Sequence, residues 1–176
     1  HLCLQSGSDQ ILRMMERRYS TADFEQTVSS IRQKLPDVAI TTDVMVGFPG
    51  ESDEHFEESY SFCRRMDFSW MHVFSYSPRN DTKASRYPDQ VGDSVKKERA
   101  DRMLKLAKDE SLAFMRRFLG RTVQVLFERV SRGVWTGLTP NYIRVYVNSK
   151  SGIANCLRAV KLVSLYRDGV WGEVIK

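Results

Sequence analysis

A mixed α/β unit built on parallel strands, followed by a small all-β barrel, is the fold class that these 176 residues predict. Three observations carry it. Apolar, β-branched runs alternate with helix-period segments over the first two-thirds of the chain, and short strand-like runs separated by turn residues fill the last third. Charge changes at the same place: residues 1–117 hold 18 Lys+Arg against 19 Asp+Glu, whereas residues 118–176 hold 9 against 3. The domain boundary is therefore drawn between 117 and 118. The whole +5 excess falls to the second part, where a polyanionic partner would bind.

Leu2, Cys3 and Leu4 make a strand-like run closed by Ser6-Gly7-Ser8, with Ser8 placed to cap the first helix. Because it opens inside such a run, the chain is expected to begin within a domain, its sheet neighbours lying in an N-terminal remainder of the same protein. Ile11, Leu12 and Met15 give one apolar helical face. Phe24, Val28, Ile31 and Leu35 give a second, starting at Ser20 or Thr21 and stopped by Pro36. Residues 38–46 read as a strand closed by Gly47-Phe48-Pro49-Gly50, after which Glu51, Ser52, Asp53 and Glu54 lead a helix with Phe56, Tyr60 and Cys63 inward. Residues 68–76 are the third strand, and a long polar connection over 77–93 has the composition of a functional loop. Strand, helix, strand, helix, strand at these spacings implies parallel strands in a barrel or open sheet, whose ligand site lies at the strand C-terminal ends.

From Ser94 a helix of about six turns is expected to reach Leu119. Ala100, Met103, Leu104, Ala107, Ser111, Phe114, Met115 and Phe118 form its core stripe, and Gly120 lies just past its end. Strands are then expected at 123–127, 142–147, 157–163 and 170–175, with turns at Arg132-Gly133, Pro140-Asn141, Ser151-Gly152 and Asp168-Gly169. Four or five such strands suggest a small Greek-key barrel.

Several functions are excluded. No run of eighteen apolar residues and no signal-peptide pattern is present, so no membrane partner is expected and the cytoplasm is the default compartment. Cys3, Cys63 and Cys156 lie far apart and read as buried thiols, while His1, His55 and His72 form no ligand spacing, so no metal site is expected.

The chemistry-bearing candidates sit at the strand ends. The Gly47-Phe48-Pro49-Gly50 turn lets backbone approach a ligand and aims amides at carboxylate or phosphate oxygens, although the same residues also serve tight turns on geometric grounds alone. Gln5 and Ser6 offer donors and acceptors for ribose hydroxyls or an amino acid moiety, or cap the next helix. Arg79, after Tyr76-Ser77-Pro78, would pair with a carboxylate or a phosphate, or stand as solvated surface. In the basic part, Arg121, Arg132, Arg144, Lys150, Arg158 and Lys161 supply phosphate-pairing charge and Trp135, Tyr142 and Tyr146 possible stacking faces. The alternative there is a solvated basic surface over core aromatics.

Together these segments resemble a known family. His-Leu-Cys-Leu-Gln-Ser-Gly-Ser-Asp from His1, Ile-Leu-Arg-Met-Met-Glu-Arg-Arg-Tyr from Ile11, Thr-Asp-Val-Met-Val-Gly-Phe-Pro-Gly-Glu from Thr42 and Val-Phe-Ser-Tyr-Ser-Pro-Arg from Val73 resemble the radical S-adenosylmethionine methylthiotransferases. The stretch Gly-Leu-Thr-Pro-Asn-Tyr-Ile-Arg-Val from Gly137 is similar to their TRAM domain. The resemblance implies the C-terminal part of a radical SAM, partial TIM-like barrel over 1–117 and a TRAM barrel over 118–176.

It further implies S-adenosylmethionine as cofactor, with Gln5, Ser6, Gly47, Phe48, Pro49 and Gly50 lining its pocket, Met45 or Phe48 near the adenine, and Tyr76 and Arg79 at the mouth. One 4Fe-4S cluster of the family reduces S-adenosylmethionine to a 5′-deoxyadenosyl radical, and a second delivers sulfur. Neither cluster's cysteines occur in this chain, which is expected to be inactive alone. The implied partner is the tRNA anticodon stem-loop.

Of three branches, His72-Val73-Phe74, Gln90, Lys96-Lys97-Glu98-Arg99 and Asn141-Tyr142-Ile143 look most like the one that adds a methylthio group to C2 of N6-threonylcarbamoyladenosine at tRNA position 37. The isopentenyladenosine branch, or an RNA-binding module without its own catalysis, is the alternative. The ribosomal-protein branch carries His where Ser6 stands. One departure from the family pattern is Asp81, which occupies a glycine position after Arg79 where a positive φ is expected.

Overall fold

The computed structural model describes residues 1–149 and 151–175; Lys150, expected to contact RNA, lies outside the described residues. The chain divides into two compact units, His1–Ser111 and Leu112–Lys176.

The first unit contains α1 (Asp9–Met14), α2 (Thr21–Lys34), β1 (Thr41–Val46), α3 (Asp53–Met66), β2 (Trp70–Ser75) and most of α4 (Asp93–Arg116). Local chemistry sets the helix starts. The Ser20 hydroxyl accepts from the Asp23 amide while the Asp23 carboxylate accepts from the Ser20 amide, and Ser52 and His55 form the same reciprocal pair before α3. Ser8 precedes α1 without capping it; its hydroxyl donates to Glu58 Oε2 at 2.6 Å instead. Pro36 lies just beyond the end of α2, as expected.

β1 and β2 pair in parallel, with Thr41 opposite Trp70 and Val46 opposite Ser75. The strand expected at 2–4 is an extended segment tied to β1 by an isolated bridge between Gln5 and Val44. Three backbone bonds hold it: Leu2 N–H to Thr41 O at 2.9 Å, Gln5 N–H to Asp43 O at 2.8 Å and Met45 N–H to Gln5 O at 2.8 Å. Gln5 has φ 67°, a left-handed conformation that stops a ladder from continuing.

Helices cover one face of this sheet, where Leu4, Val44, Val46, Phe56, Phe62, Phe68 and Met103 form the core. Phe24 meets Phe62 and Phe68 edge-on, with ring centroids 6.2 and 6.0 Å apart. The opposite face, carrying Thr41, Asp43, Met45, Trp70, His72 and Phe74, is partly or fully exposed, because alternate strand residues point to opposite sides. On α4 the buried apolar set in this unit is Met103, Leu106 and Ala107, while Leu104 is 48% exposed. The true stripe follows i, i+3, i+4 and is narrower than the sequence reading.

In the second unit, β3 (Thr122–Ser131), β4 (Val134–Leu138), β5 (Arg144–Asn148), β6 (Cys156–Tyr166) and β7 (Gly169–Val174) form a closed barrel in the order β3-β4-β5-β7-β6. All pairs are antiparallel except β5 with β7. Val125, Phe127, Val145, Val147, Val160, Leu162 and Val170 are fully buried. The Arg132-Gly133 turn takes φ 50° and 81°, the paired positive values of a two-residue hairpin. β4 had no counterpart among the expected strands, since Gly137 interrupts its apolar alternation.

Candidate functional site

In the first unit the predicted segments meet at one rim, the C-terminal end of the parallel sheet. Gln5 bridges to Val44, the 47–50 turn leaves β1, and Tyr76 follows β2 with its amide donating to Val46 O at 2.8 Å. Gln5, Ser6, Phe48 and Tyr76 are at most 9% exposed, Met45 is half-buried and Arg79 is exposed.

The turn is held from within. Gly47 N–H donates to Glu51 Oε1 at 2.8 Å and Gly50 N–H donates to Asp89 O at 2.7 Å. These two amides are therefore not offered to an anion. Glu51 is in turn clamped by α4: Arg99 Nη1 donates to Glu51 Oε1 at 2.8 Å and to its carbonyl at 3.0 Å, while Nη2 donates to Asp53 Oδ1 at 2.7 Å. The Glu51 and Arg99 side chains are 1% and 7% exposed. Burial pushes the Glu51 carboxyl up, against the opposing pull of the Gly47 amide and the Arg99 guanidinium. Gly47 has φ 71°, and a Cβ there would stand 2.4 Å from Lys96 Cγ, so the turn and α4 approach as closely as glycine permits.

Phe48 is enclosed rather than presented. It packs with Ile11 and Tyr76, bordered by Met14, Met15, Met45, Ala84 and Tyr87, so it supports the turn and has no free face for an adenine. Tyr76 meets Phe48 edge-on at 5.4 Å, and Lys96 Nζ lies 5.8 Å from the Tyr76 ring centroid. The Tyr76 hydroxyl is buried with no hydrogen-bond partner. Such an orphan costs about 1–3 kcal/mol, so Tyr76→Phe should leave the melting temperature unchanged or raise it in a thermal scan.

Asp81 has φ 69°, the conformation expected at this glycine position. The turn around it is closed by Thr82, whose amide and hydroxyl both donate to Arg79 O. Sequence reasoning named Glu51 as a helix-leading acid at the end of a family motif, and Lys96 and Arg99 within a branch-marking run, but placed none of the three at the rim.

In the second unit Arg121, Arg132, Tyr142, Arg144, Arg158 and Lys161 are exposed. Arg144 Nη1 pairs with Asp168 Oδ2 at 2.6 Å, and the Tyr146 hydroxyl makes a short bond to the same carboxylate, which holds Asp168 below the usual carboxylate range. Trp135 and Tyr146 are 8% and 7% exposed and offer no stacking face. Tyr142, at 80% exposed, does. The strand registers also align Leu157, Leu126, Leu138 and Arg144 in one row across β6, β3, β4 and β5, with Leu157 and Leu126 well exposed.

The radical SAM superfamily description matches residues 1–63. The chain is 37% identical, over 99% of its length, to the tRNA-2-methylthio-N(6)-dimethylallyladenosine synthase of Caldicellulosiruptor saccharolyticus. It is 39% identical over 97% of its length to the threonylcarbamoyladenosine tRNA methylthiotransferase MtaB of Thermotoga maritima, and 32% identical over its whole length to MtaB of Bacillus subtilis. The chain belongs to the radical S-adenosylmethionine methylthiotransferase family. It spans 38% to 41% of the length of these three relatives.

Radical SAM chemistry implies S-adenosylmethionine and 4Fe-4S clusters, and the two fit these residues differently. Toward S-adenosylmethionine the rim offers the orphaned Tyr76 hydroxyl, the half-buried Met45 and the buried Gln5. A cluster does not fit: Cys3 is exposed rather than buried as expected, Cys63 is buried and Cys156 is half-buried. Among the described residues, the one grouping of ligand-type side chains contains a single cysteine. No helix among the described residues is long and apolar enough to cross a membrane.

Proposed function

We propose that this chain is the S-adenosylmethionine-facing rim and the tRNA-contacting barrel of a tRNA methylthiotransferase that acts on N6-threonylcarbamoyladenosine at position 37. The observation that carries the proposal is the convergence of three family motifs, at Gln5, at 47–50 and at Tyr76, on one sheet rim. S-adenosylmethionine, when bound, supplies the methyl group of the product. Gln5 and Tyr76 orient it, Met45 gives its adenine an apolar contact, Arg79 stands at the mouth, and the Arg99–Glu51 clamp keeps the turn in place. The domain division at 117/118, the partial TIM-like barrel, the TRAM character of the β-barrel and the cytoplasmic setting belong to the same reading, as does inactivity of this chain without the rest of the protein.

The Tyr76→Phe variant also tests cofactor binding. It should fold as well as the parent yet bind S-adenosylmethionine more weakly in calorimetry; equal affinity would remove Tyr76 from the site.

For tRNA, the exposed row ending at Arg144, the free ring of Tyr142 and the net +6 of residues 118–176 support contact with the anticodon stem-loop through phosphates and an unstacked base. Arg144 is neutralised by Asp168, so Lys161 is the better reporter. Lys161→Ala should lower the slope of log affinity against log salt by about one unit, and Arg144→Ala should change it less. Equal slopes for Lys161→Ala and the parent would argue against phosphate contact at that position.

A further inference from the structure

The outer wall of the barrel carries an aromatic cluster at the corner where β5, β6 and β7 meet. The β5–β7 register sets Tyr146 beside Trp171, and the hairpin joining β6 to β7 brings Tyr166 to the same corner. Tyr166 meets Tyr146 and Trp171 edge-on, with ring centroids 5.2 Å apart in both pairs. Tyr146 and Trp171 point away from the barrel core, because their strand neighbours Val145, Val147 and Val170 are the ones fully buried in it.

A guanidinium completes the cluster. Arg167 Cζ lies 5.0 Å from the Tyr166 ring centroid and 5.9 Å from that of Tyr146. Arg167 opens the two-residue turn between Tyr166 and Gly169, at φ 52°. The next residue, Asp168, accepts from both the Tyr146 hydroxyl and Arg144 Nη1. That anchors the turn to β5 and keeps Arg167 against the rings. Arg167 is nevertheless exposed, and Tyr166 and Trp171 are half-buried. Trp135 donates its indole N–H to Ser149 O; among the described residues Trp171 has no such partner.

The surroundings select the kind of partner. Residues 118–176 hold 9 Lys+Arg against 3 Asp+Glu, and one of those acids, Asp168, is already engaged. Half-exposed rings and a stacked guanidinium in a wall of positive charge suit an unpaired nucleobase. Its face meets the aromatic and guanidinium groups, and its flanking phosphates meet the charge. A fully paired duplex keeps its base faces hidden and has only the phosphates to offer.

We infer that Trp171, Tyr166 and Arg167 form a platform on which one unpaired RNA base stacks, in addition to any contact at Tyr142. The inference rests on the tRNA reading of the barrel and adds to it the place where a base is held.

The test uses the whole chain with two labelled RNAs of equal length, an anticodon-type stem-loop and a fully paired duplex, read by fluorescence anisotropy at several salt concentrations. Trp171→Ala should weaken stem-loop binding by about tenfold at every salt concentration, with the parent salt slope and unchanged duplex binding. Trp171→Phe keeps a ring and should bind like the parent, while losing the quenching of tryptophan emission that the stem-loop causes. Arg167→Asn places a residue that tolerates positive φ at the turn; it should weaken stem-loop binding and lower the slope by about one unit. Parent affinity for the stem-loop in Trp171→Ala, or in Arg167→Asn where the alanine variant does not fold, would overturn the platform and leave the tRNA reading in place. An equal loss on stem-loop and duplex, or quenching that persists in Trp171→Phe, would do the same. Failure of the parent chain to bind either RNA would overturn both.

Discussion

Arg99→Met is expected to cost about 3–5 kcal/mol, the usual consequence of removing one partner from a buried ion pair. The Glu51 side chain is 1% exposed and would keep the Gly47 amide as its one remaining strong donor, while Asp53, largely exposed, returns to water. A melting-temperature fall of roughly 12–20 °C is expected for the first unit. The pH dependence has a defined sign. Burial already pushes Glu51 up, and without Arg99 its folded pKa rises further above the unfolded one. The folded state then holds the proton more tightly, so stability is highest at low pH and is lost as pH rises through the folded value. The deficit of Arg99→Met against the parent should therefore widen as pH rises above the ordinary carboxylate range. A deficit that does not change with pH would mean that Glu51 is not the group left uncompensated. Because Glu51 also holds the Gly47 amide, the same variant should bind S-adenosylmethionine more weakly.

Gly169→Ala should unfold the barrel selectively. A Cβ at Gly169 would stand 2.2 Å from the Arg144 carbonyl oxygen and 2.9 Å from its carbon. Overpacking costs about 1–3 kcal/mol where side chains can move; here the obstacle is backbone, which puts the cost at the upper end or beyond. This contact is where β7 joins β5 in the one parallel pairing of the barrel, and the antiparallel neighbours cannot replace it. Hydrogen exchange on the intact chain is the appropriate readout. Amides of β5, β6 and β7 should exchange much faster in Gly169→Ala, while those of β1 and β2 keep the parent rates. Uniform acceleration throughout would instead mean that the two units unfold together.

Much of this fold was legible because local chemistry and tertiary packing agree. The Ser20 cap, the stop at Pro36, the parallel 41–46 and 70–75 strands and the Arg132-Gly133 hairpin each follow from residues adjacent in sequence. The misreadings arose where tertiary context decides. Phe48, Trp135 and Tyr146 are aromatic candidates for ligand contact by type, yet each is enclosed by residues distant in the chain. The turn at 47–50 has the composition of an anion cradle, but Glu51 and Asp89 take its two glycine amides. Arg144 is a phosphate candidate by charge until Asp168, twenty-four residues away, neutralises it. Tyr146, Tyr166 and Trp171 share no local spacing, because three strands supply one ring each. Only the strand register brings them together.

The most direct measurement is mass spectrometry of tRNA nucleosides from cells lacking the gene that encodes this chain. The expected result is loss of the methylthio group from N6-threonylcarbamoyladenosine with methylthiolated isopentenyladenosine intact. Loss of the isopentenyladenosine product instead would transfer the chain to the other branch, and unchanged levels of both would contradict tRNA methylthiolation.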